Sequence, residues 1–417
     1  MKRFILVAFI VLFSIGLCAC KGGGENPVAT KEPLKTVMPT QSNASKGAVE
    51  SEQPAFSEGE AFSMAEDLLK TMTLEEKIGQ MFMIHLSQLD DSRTKDGNIY
   101  YLSKKLKKQL HDYNIGGVYL TRNNIGTIEQ TKKLVSELQK SVSGSALYIS
   151  TEEEGGGEHS ISASVPELNG TGYMTQSEMG QHMTGGQAQQ TGKTIAGELT
   201  KLGINLNLAP VADIADESNP EYAKRCLGDD KDKVSDMLAN MVQGMREGGL
   251  GVTLKYFPGI GNVPGEYTEE ILENKDSLMT LRNNNFETYA AGIEAGADCV
   301  MVSSVSVNKV TVKTVPAFMS GDIVTSLLRE ELDFDGVIMT CPLNDNLIVK
   351  KYTAGFVTTE AVKAGCDMIL LPKNFKESYQ ALLGAVKSGA INEKVINTSV
   401  RRILQNKIQR GILVLEQ

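Results

Sequence analysis

The run Gly336-Val337-Ile338-Met339-Thr340 ends in Cys341 and then Pro342, whereas comparable apolar runs elsewhere end in charged or hydroxyl residues: Glu152-Glu153-Glu154, Asp213, Lys255-Tyr256 and Ser304. Brought to one site, carboxylates of this kind can attack a carbon, move a proton or accept hydrogen bonds from a hydroxyl-rich ligand. A thiol attacks only as the thiolate, which at a free pKa of ~8.5 is a few per cent of the population at neutral pH. A cation beside it would raise that fraction, and Lys255 is the one expected to supply the charge. Metal chemistry is not indicated. His85, His111, His159 and His182 are scattered, and so are Cys226, Cys299, Cys341 and Cys366, without C-x-x-C or His-ligand spacing. No metal, disulfide framework, nucleotide or other cofactor is expected.

The elements that must position these residues alternate short apolar runs with longer amphipathic stretches, the pattern of successive βα units on a parallel sheet. Eight runs are expected as strands: those beginning at Ile78, Ile115, Ser145, Ile204, Val252, Cys299, Gly336 and Asp367. Helical patterns between them include EQTKKLVSELQKSV, TGKTIAGELTKLG, DKVSDMLANMVQGMREGG, LRNNNFETYAAGIEAGA and SGDIVTSLLREEL, several of them closing on glycine. The fold class expected is α/β, a single-domain (β/α)₈ TIM barrel, whose catalytic groups sit at the C-terminal ends of the strands. A doubly wound open sheet competes with it but lacks a G-x-G-x-x-G turn after the first strand.

Ahead of the barrel, Lys2 and Arg3 precede an apolar run from Phe4 to Leu17, too short to span a bilayer and shaped like a signal peptide. Leu17-Cys18-Ala19-Cys20 resembles the lipobox of bacterial lipoproteins, which implies cleavage before Cys20 and lipidation of its thiol. Residues 21–60 hold Gly22-Gly23-Gly24, four prolines and a single aromatic, Phe56, too little apolar surface to offset chain entropy. The organisation expected is therefore a signal peptide over 1–19, a lipidated Cys20 and disordered linker over 20–60, and the barrel over 61–417. The expected location is extracytoplasmic, on the outer face of the bacterial cell membrane. A net charge of −9 without a Lys/Arg-rich cluster argues against nucleic acid, whose binding rests on phosphate neutralisation. A monomer is expected.

Taken together, MTLEEKIGQMFMI, IGGVYLTRNN, EEGGG, LGINLNLAPVADI, KRCLGDD, KYFPGIG, LLREELDFDGVIMT and SVRRILQNKIQRGI resemble, in order from about residue 64 to 411, the N-terminal barrel of glycoside hydrolase family 3, and within it the single-domain β-N-acetylhexosaminidases. The resemblance implies retaining hydrolysis of β-linked GlcNAc in cell-wall or chitin-type glycans. One carboxylate attacks the anomeric carbon and an acid protonates the leaving oxygen. It also implies that Cys341, in Thr340-Cys341-Pro342-Leu343, stands where the family has its nucleophilic Asp. In KYFPGIGNVPGEYT, Thr268 stands at the acid/base His, Glu266 at the Asp that steers it, and Tyr256 and Ile260 replace two further histidines. Gly157 replaces an Arg, and Ser304 a His after the sixth strand.

Sugar-holding positions persist in part. Glu152 takes the place of a family Asp, and Arg225, Lys255 and Tyr256 stand where relatives contact substrate. Arg225 and Lys255 have a second reading, as partners of the Glu cluster or of Asp213 that stabilise the barrel mouth, since charges gathered there must be paired or solvated. Three functions stay open at this level: an impaired hydrolase that binds a glycan or a protein partner, an active glycosidase with rearranged groups in which Glu266 serves as acid, and an envelope scaffold. Asp345 is expected to be a solvated loop residue.

Overall fold

The computed structural model describes the backbone of residues 36–37 and residues 56–90, 98–142, 144–157, 160–168, 172–260, 263 and 271–415, all within one unit spanning Leu34–Gln417. The segment read as a signal peptide, Cys20, His159, Glu266 and Thr268 lie outside the described residues.

Eight parallel strands make the barrel: β2 (Phe82–Ile84), β3 (Gly117–Tyr119), β4 (Tyr148–Thr151), β5 (Leu206–Asn207), β6 (Gly251–Phe257), β7 (Cys299–Val302), β8 (Val337–Thr340) and β9 (Ile369–Leu370). They pair in chain order from β2 to β8. β9 pairs with β2, and a Met339–Met368 bridge joins β8 to β9, closing the ring. The result is a (β/α)₈ barrel. Strands such as Val337–Thr340 are buried on both faces, as a parallel sheet covered by helices requires, so they read as continuous apolar runs without alternation. A further two-residue strand, β1 (Thr36–Val37), pairs antiparallel with β10 (Val414–Leu415), inside the stretch expected to be a linker.

The helices are α1 (Glu58–Thr71), α2 (Leu74–Gln80), α3 (Lys104–Tyr113), α4 (Ile128–Gln139), α5 (Gln176–His182), α6 (Gly185–Lys201), α7 (Pro220–Ala223), α8 (Lys231–Glu247), α9 (Leu278–Asn283), α10 (Asn285–Glu294), α11 (Asn346–Lys351), α12 (Ala354–Ala364), α13 (Phe375–Lys387) and α14 (Glu393–Gln409), with a π-helical segment at Asp322–Glu331. Three of them depart from the sequence reading. The run beginning at Ile78 opens inside α2, because Thr73 and Glu76 form a reciprocal capping box that starts a helix and leaves the strand only Phe82–Ile84. LRNNNFETYAAGIEAGA is two helices broken at Asn284, whose φ and ψ of −123° and −89° are not helical. SGDIVTSLLREEL winds with π rather than α hydrogen bonds.

The N-terminal end of the barrel is closed by α14. Asn406 accepts a hydrogen bond from the Tyr148 hydroxyl at 2.7 Å and donates to Asp298 at 3.0 Å, while Arg402 reaches Asp367 at 3.4 Å. Lys407, fully buried, donates to Gln80 Oε1 at 2.9 Å and to the Gly116 carbonyl at 2.8 Å. Asp298 and Asp367 sit just before β7 and β9, so these bonds tie strand starts together and leave the opposite end to hold the chemistry.

Candidate active site

At the C-terminal end of β4 the chain runs straight into Glu152-Glu153-Glu154. Asn207 on β5 fixes this exit, accepting from the Glu153 amide at 2.9 Å and donating to its carbonyl at 3.0 Å. Gly155 then turns at φ +88°, where a Cβ would meet the Met174 carbonyl at 2.3 Å, so only glycine fits. Side chains alternate along this extended exit. Glu152 and Glu154 meet the cations of the mouth, whereas Glu153 turns the other way and accepts from Ser160 Oγ at 3.0 Å, the Ser162 amide at 2.8 Å and the Gly155 amide at 3.2 Å. Burial pushes the Glu153 carboxyl up to about 7, against those three donors.

Arg225 follows α7 and grips Glu154 with two bonds, Nε to Oε2 at 2.8 Å and a terminal nitrogen to Oε1 at 2.6 Å; the same nitrogen reaches Glu152 at 3.2 Å and the Tyr256 hydroxyl at 3.0 Å. Lys255, on β6 and 2% exposed, donates to Glu154 at 2.7 Å and to Glu152. Tyr119 on β3 donates to Glu152 at 3.3 Å. The Lys255–Tyr256 peptide bond is cis. Two cations thus face two carboxylates, and the cluster is neutral as a whole. Burial alone would raise the Glu154 carboxyl, but Lys255 and Arg225 outweigh it and hold Glu154 well below the usual carboxylate range. Burial likewise opposes the charge on Lys255, and Glu152 and Glu154 more than restore it. Both partners stay ionised across the physiological range.

Of the residues singled out in the sequence, Glu152, Arg225, Lys255 and Tyr256 come together here, with Arg225 and Lys255 each paired to Glu152 and Glu154. Asp213 has partners of its own. It accepts from the Ile214 amide at 2.9 Å, from the Ile260 amide and from Asn285 Nδ2. Glu154 and Tyr119 were not singled out as binding residues, although EEGGG and IGGVYLT held both. Their signal was present only as neighbours of Glu152 in the sheet. A cavity of about 140 Å³ adjoins Glu154 and Arg225, bounded also by Gly155, Thr175, Gln176 and Lys224. That is below the roughly 300 Å³ at which ligand pockets usually begin.

Cys341 caps β8 at the same end of the barrel and is 5% exposed, its amide bonded to the Val302 carbonyl at 2.9 Å. Its thiol is pushed up to about 12, first by burial and then by the negative charge of Asp345, against a hydrogen bond with Ser304 that favours the thiolate. The activation by Lys255 expected from the sequence does not occur: that ammonium is spent on Glu152 and Glu154, and the charge that bears on the thiol is an anion. Nor is Asp345 a solvated loop residue. It is half-buried and caps α11, accepting from the Leu347 amide at 2.8 Å. Among the described residues, no group of three His, Cys, Asp or Glu side chains is placed to hold a metal.

The glycosyl hydrolase family 3 N terminal domain matches residues 73–406. A β-hexosaminidase of Hydrogenovibrio crunogenus is 28% identical over 266 residues, covering 64% of this chain and 74% of its own. Among solved structures, a glycoside hydrolase family 3 β-N-acetylglucosaminidase from Paenibacillus sp. str. FPU-7 is similar with a TM-score of 0.72 at 30% identity; the match covers 82% of this chain and 63% of that longer one. A β-N-acetylhexosaminidase from Beutenbergia cavernae gives a TM-score of 0.70 at 27% identity, covering 80% of this chain and 98% of its own. With the match spanning more than half of its length, the chain belongs to glycosyl hydrolase family 3 through its N-terminal domain.

Proposed function

We propose that this chain is an exported, lipid-anchored member of the family that binds amino-sugar glycans at its barrel mouth and does not hydrolyse them. What supports the reading is Cys341, a buried thiol whose pKa burial and Asp345 push up to about 12, at the strand end where the resemblance puts the family's attacking carboxylate. A retaining glycosidase needs an anion there twice over, to attack the anomeric carbon and to stabilise the oxocarbenium-like transition state. A neutral thiol does neither. Losing a nucleophile costs on the order of 10⁴ to 10⁶ in rate, and losing the general acid a further ~10² to 10⁴. With Thr268 at the acid/base position, both losses apply.

The mouth nonetheless keeps ionised groups suited to hydroxyls and acetamides, and Glu152 retains 26% side-chain exposure beside the exposed edge of Arg225. The hexosaminidases among its relatives support a β-linked N-acetylhexosamine as the ligand class. Lys2-Arg3, the apolar run and Leu17-Cys18-Ala19-Cys20 support export and anchoring at the outer face of the membrane.

The test is hydrolysis of an aryl β-N-acetylglucosaminide by the purified protein beside Cys341→Ala. Both are expected to show only the background rate. Turnover by the parent that vanishes in Cys341→Ala refutes the loss of chemistry and favours a glycosidase with rearranged groups. Calorimetric titration with GlcNAc-containing muropeptides then separates binder from scaffold: heat is expected, and no heat with no thermal shift at millimolar ligand leaves only the scaffold.

A further inference from the structure

Glu153 belongs to the β4 exit but not to the ion cluster of the mouth. It is buried, and among the described residues no cation is hydrogen-bonded to it. Its carboxylate instead gathers donors from two short stretches of chain: the Gly155 amide on Oε1 at 3.2 Å, and Ser160 Oγ and the Ser162 amide on Oε2 at 3.0 and 2.8 Å. Arg122, in the turn after β3, holds the same stretches from the other side, donating to the Gly157 carbonyl and to the Ser160 carbonyl at 3.1 Å.

These bonds fix one wall of the mouth. Gly155 and Gly156 line the cavity beside Glu154 and Arg225, and Gly156 donates to the Tyr173 carbonyl at 3.2 Å. They are packed closely, since a Cβ at Gly156 would meet Thr175 Cγ2 at 2.7 Å. A change at Glu153 Oε1 therefore reaches the wall through one amide. An ionised carboxylate suits all three donors. A proton on either oxygen sets an O–H against an N–H, and of the three donors only the Ser160 hydroxyl can reverse and accept. Protonation thus weakens the hold on Gly155 or Ser162, and bonds to a charged acceptor are the stronger ones to lose.

The charges around Glu153 do little to keep that proton off. From the stretch before α5, Tyr173 lies within reach of its charge, and Glu198 on α6 adds a second anion there; after burial, both raise the Tyr173 hydroxyl. Asn207 on β5 binds only the Glu153 backbone. Glu152 and Glu154, on the same exit, are paired to Lys255 and Arg225. Burial pushes the Glu153 carboxyl up to about 7, so its ionised fraction falls about tenfold between pH 8 and pH 6.

We infer that Glu153 is a positioning residue for the mouth: its ionised carboxylate holds Gly155, Ser160 and Ser162 so that the wall stands in its binding geometry, and a proton taken up there weakens ligand binding without contact between Glu153 and the ligand. The inference rests on the reading above for the identity of that ligand, an amino-sugar glycan.

The test joins hydrogen exchange over residues 151–165 of the purified full chain, from pH 5.5 to 8.5 and corrected for intrinsic rates, to calorimetric titration with a GlcNAc-containing muropeptide at pH 6 and pH 8. In the parent, protection and affinity are each expected to fall about tenfold from pH 8 to pH 6, because a ligand that needs the ionised state binds in proportion to its population. Glu153→Gln is expected to remove both dependences. Ser160→Ala, which leaves the ionised form one donor fewer, should move the midpoint to higher pH, a shift that a merely structural role does not produce. Should Glu153→Gln not fold, Ser160→Ala carries the comparison. Lys407 also titrates near pH 7, at the other end of the barrel, but it is common to parent and variants, so their difference reports Glu153. Protection that is flat with pH in the parent, equal affinity at pH 6 and pH 8, or a fall that persists in Glu153→Gln overturns the inference. Protection that follows pH with no heat at either pH upholds the placing of the wall by Glu153 and refutes the glycan reading instead.

Discussion

Reactivity of Cys341 toward an alkylating reagent tests the premise of lost chemistry directly. With its pKa raised from 9.0 to about 12, the thiolate population at neutral pH falls by roughly 10^3 relative to an ordinary cysteine. A more basic thiolate is also a better nucleophile. At a Brønsted slope of ~0.45, that rise returns a factor of roughly 20. The net expectation is alkylation by iodoacetamide about fiftyfold slower than for a free cysteine, before steric shielding by a site only 5% exposed slows it further. The profile matters more than the absolute rate: the rate should climb about tenfold per pH unit through the range where an unfolded cysteine has already levelled off. Peptide mass spectrometry resolves Cys341 from Cys226, Cys299 and Cys366, which are also buried, and the denatured chain supplies the reference. A plateau for Cys341 at or below pH 8.5, or labelling as fast as in the denatured chain, means a stabilised thiolate at β8 and refutes the assignment of Cys341 as an inert thiol. Asp345→Asn, which removes the anion beside it, should accelerate labelling.

Two predictions concern stability. Lys255→Met removes one of two cations from Glu154, which is itself 2% exposed in its side chain; stranding a buried carboxylate in this way should destabilise by about 3–5 kcal/mol in denaturant unfolding, with part of the loss recovered in Lys255→Met/Glu154→Gln. A loss below about 1 kcal/mol would show that the cluster is not held by its charges. Lys407→Met probes the opposite end of the barrel, where burial pulls the ammonium down to about 7 from an ordinary 10.5. Because the folded value is the lower, the unfolded chain binds more protons between pH 7 and 10.5, and the stability contributed at this site rises with pH across that window, by up to ~5 kcal/mol. The melting temperature of Lys407→Met relative to the parent should therefore be most favourable near pH 7 and fall toward pH 10; a pH-independent difference would refute the shift.

How much of this was legible in the sequence depends on the range of the interaction that decides each feature. β7 and β8 were readable because strands buried on both faces must be largely apolar, and Cys299–Val302 is apolar throughout and Val337–Thr340 in all but its last residue. α2 was misread because apolar residues from Ile78 onward outweighed a local signal, Thr73 three residues before Glu76, which settles where the helix begins. The role of α14 was out of reach: Lys407 meets Gln80 across 327 positions, and no periodicity reports such a pairing. Within the site, residue types and strand ends were readable but partners were not.

Lys255 shows why. On β6 it stands two strands from β4 on one side and two strands from β8 on the other, so strand order alone offers it Glu152 and Glu154 or Cys341 equally. Electrostatics breaks the tie. A buried ammonium must be paired, and the exit of β4 presents Glu152 and Glu154 while β8 presents a thiol, so attraction is found on one flank only. With Lys255 paired to Glu152 and Glu154, the thiol is left without the positive neighbour its activation would need.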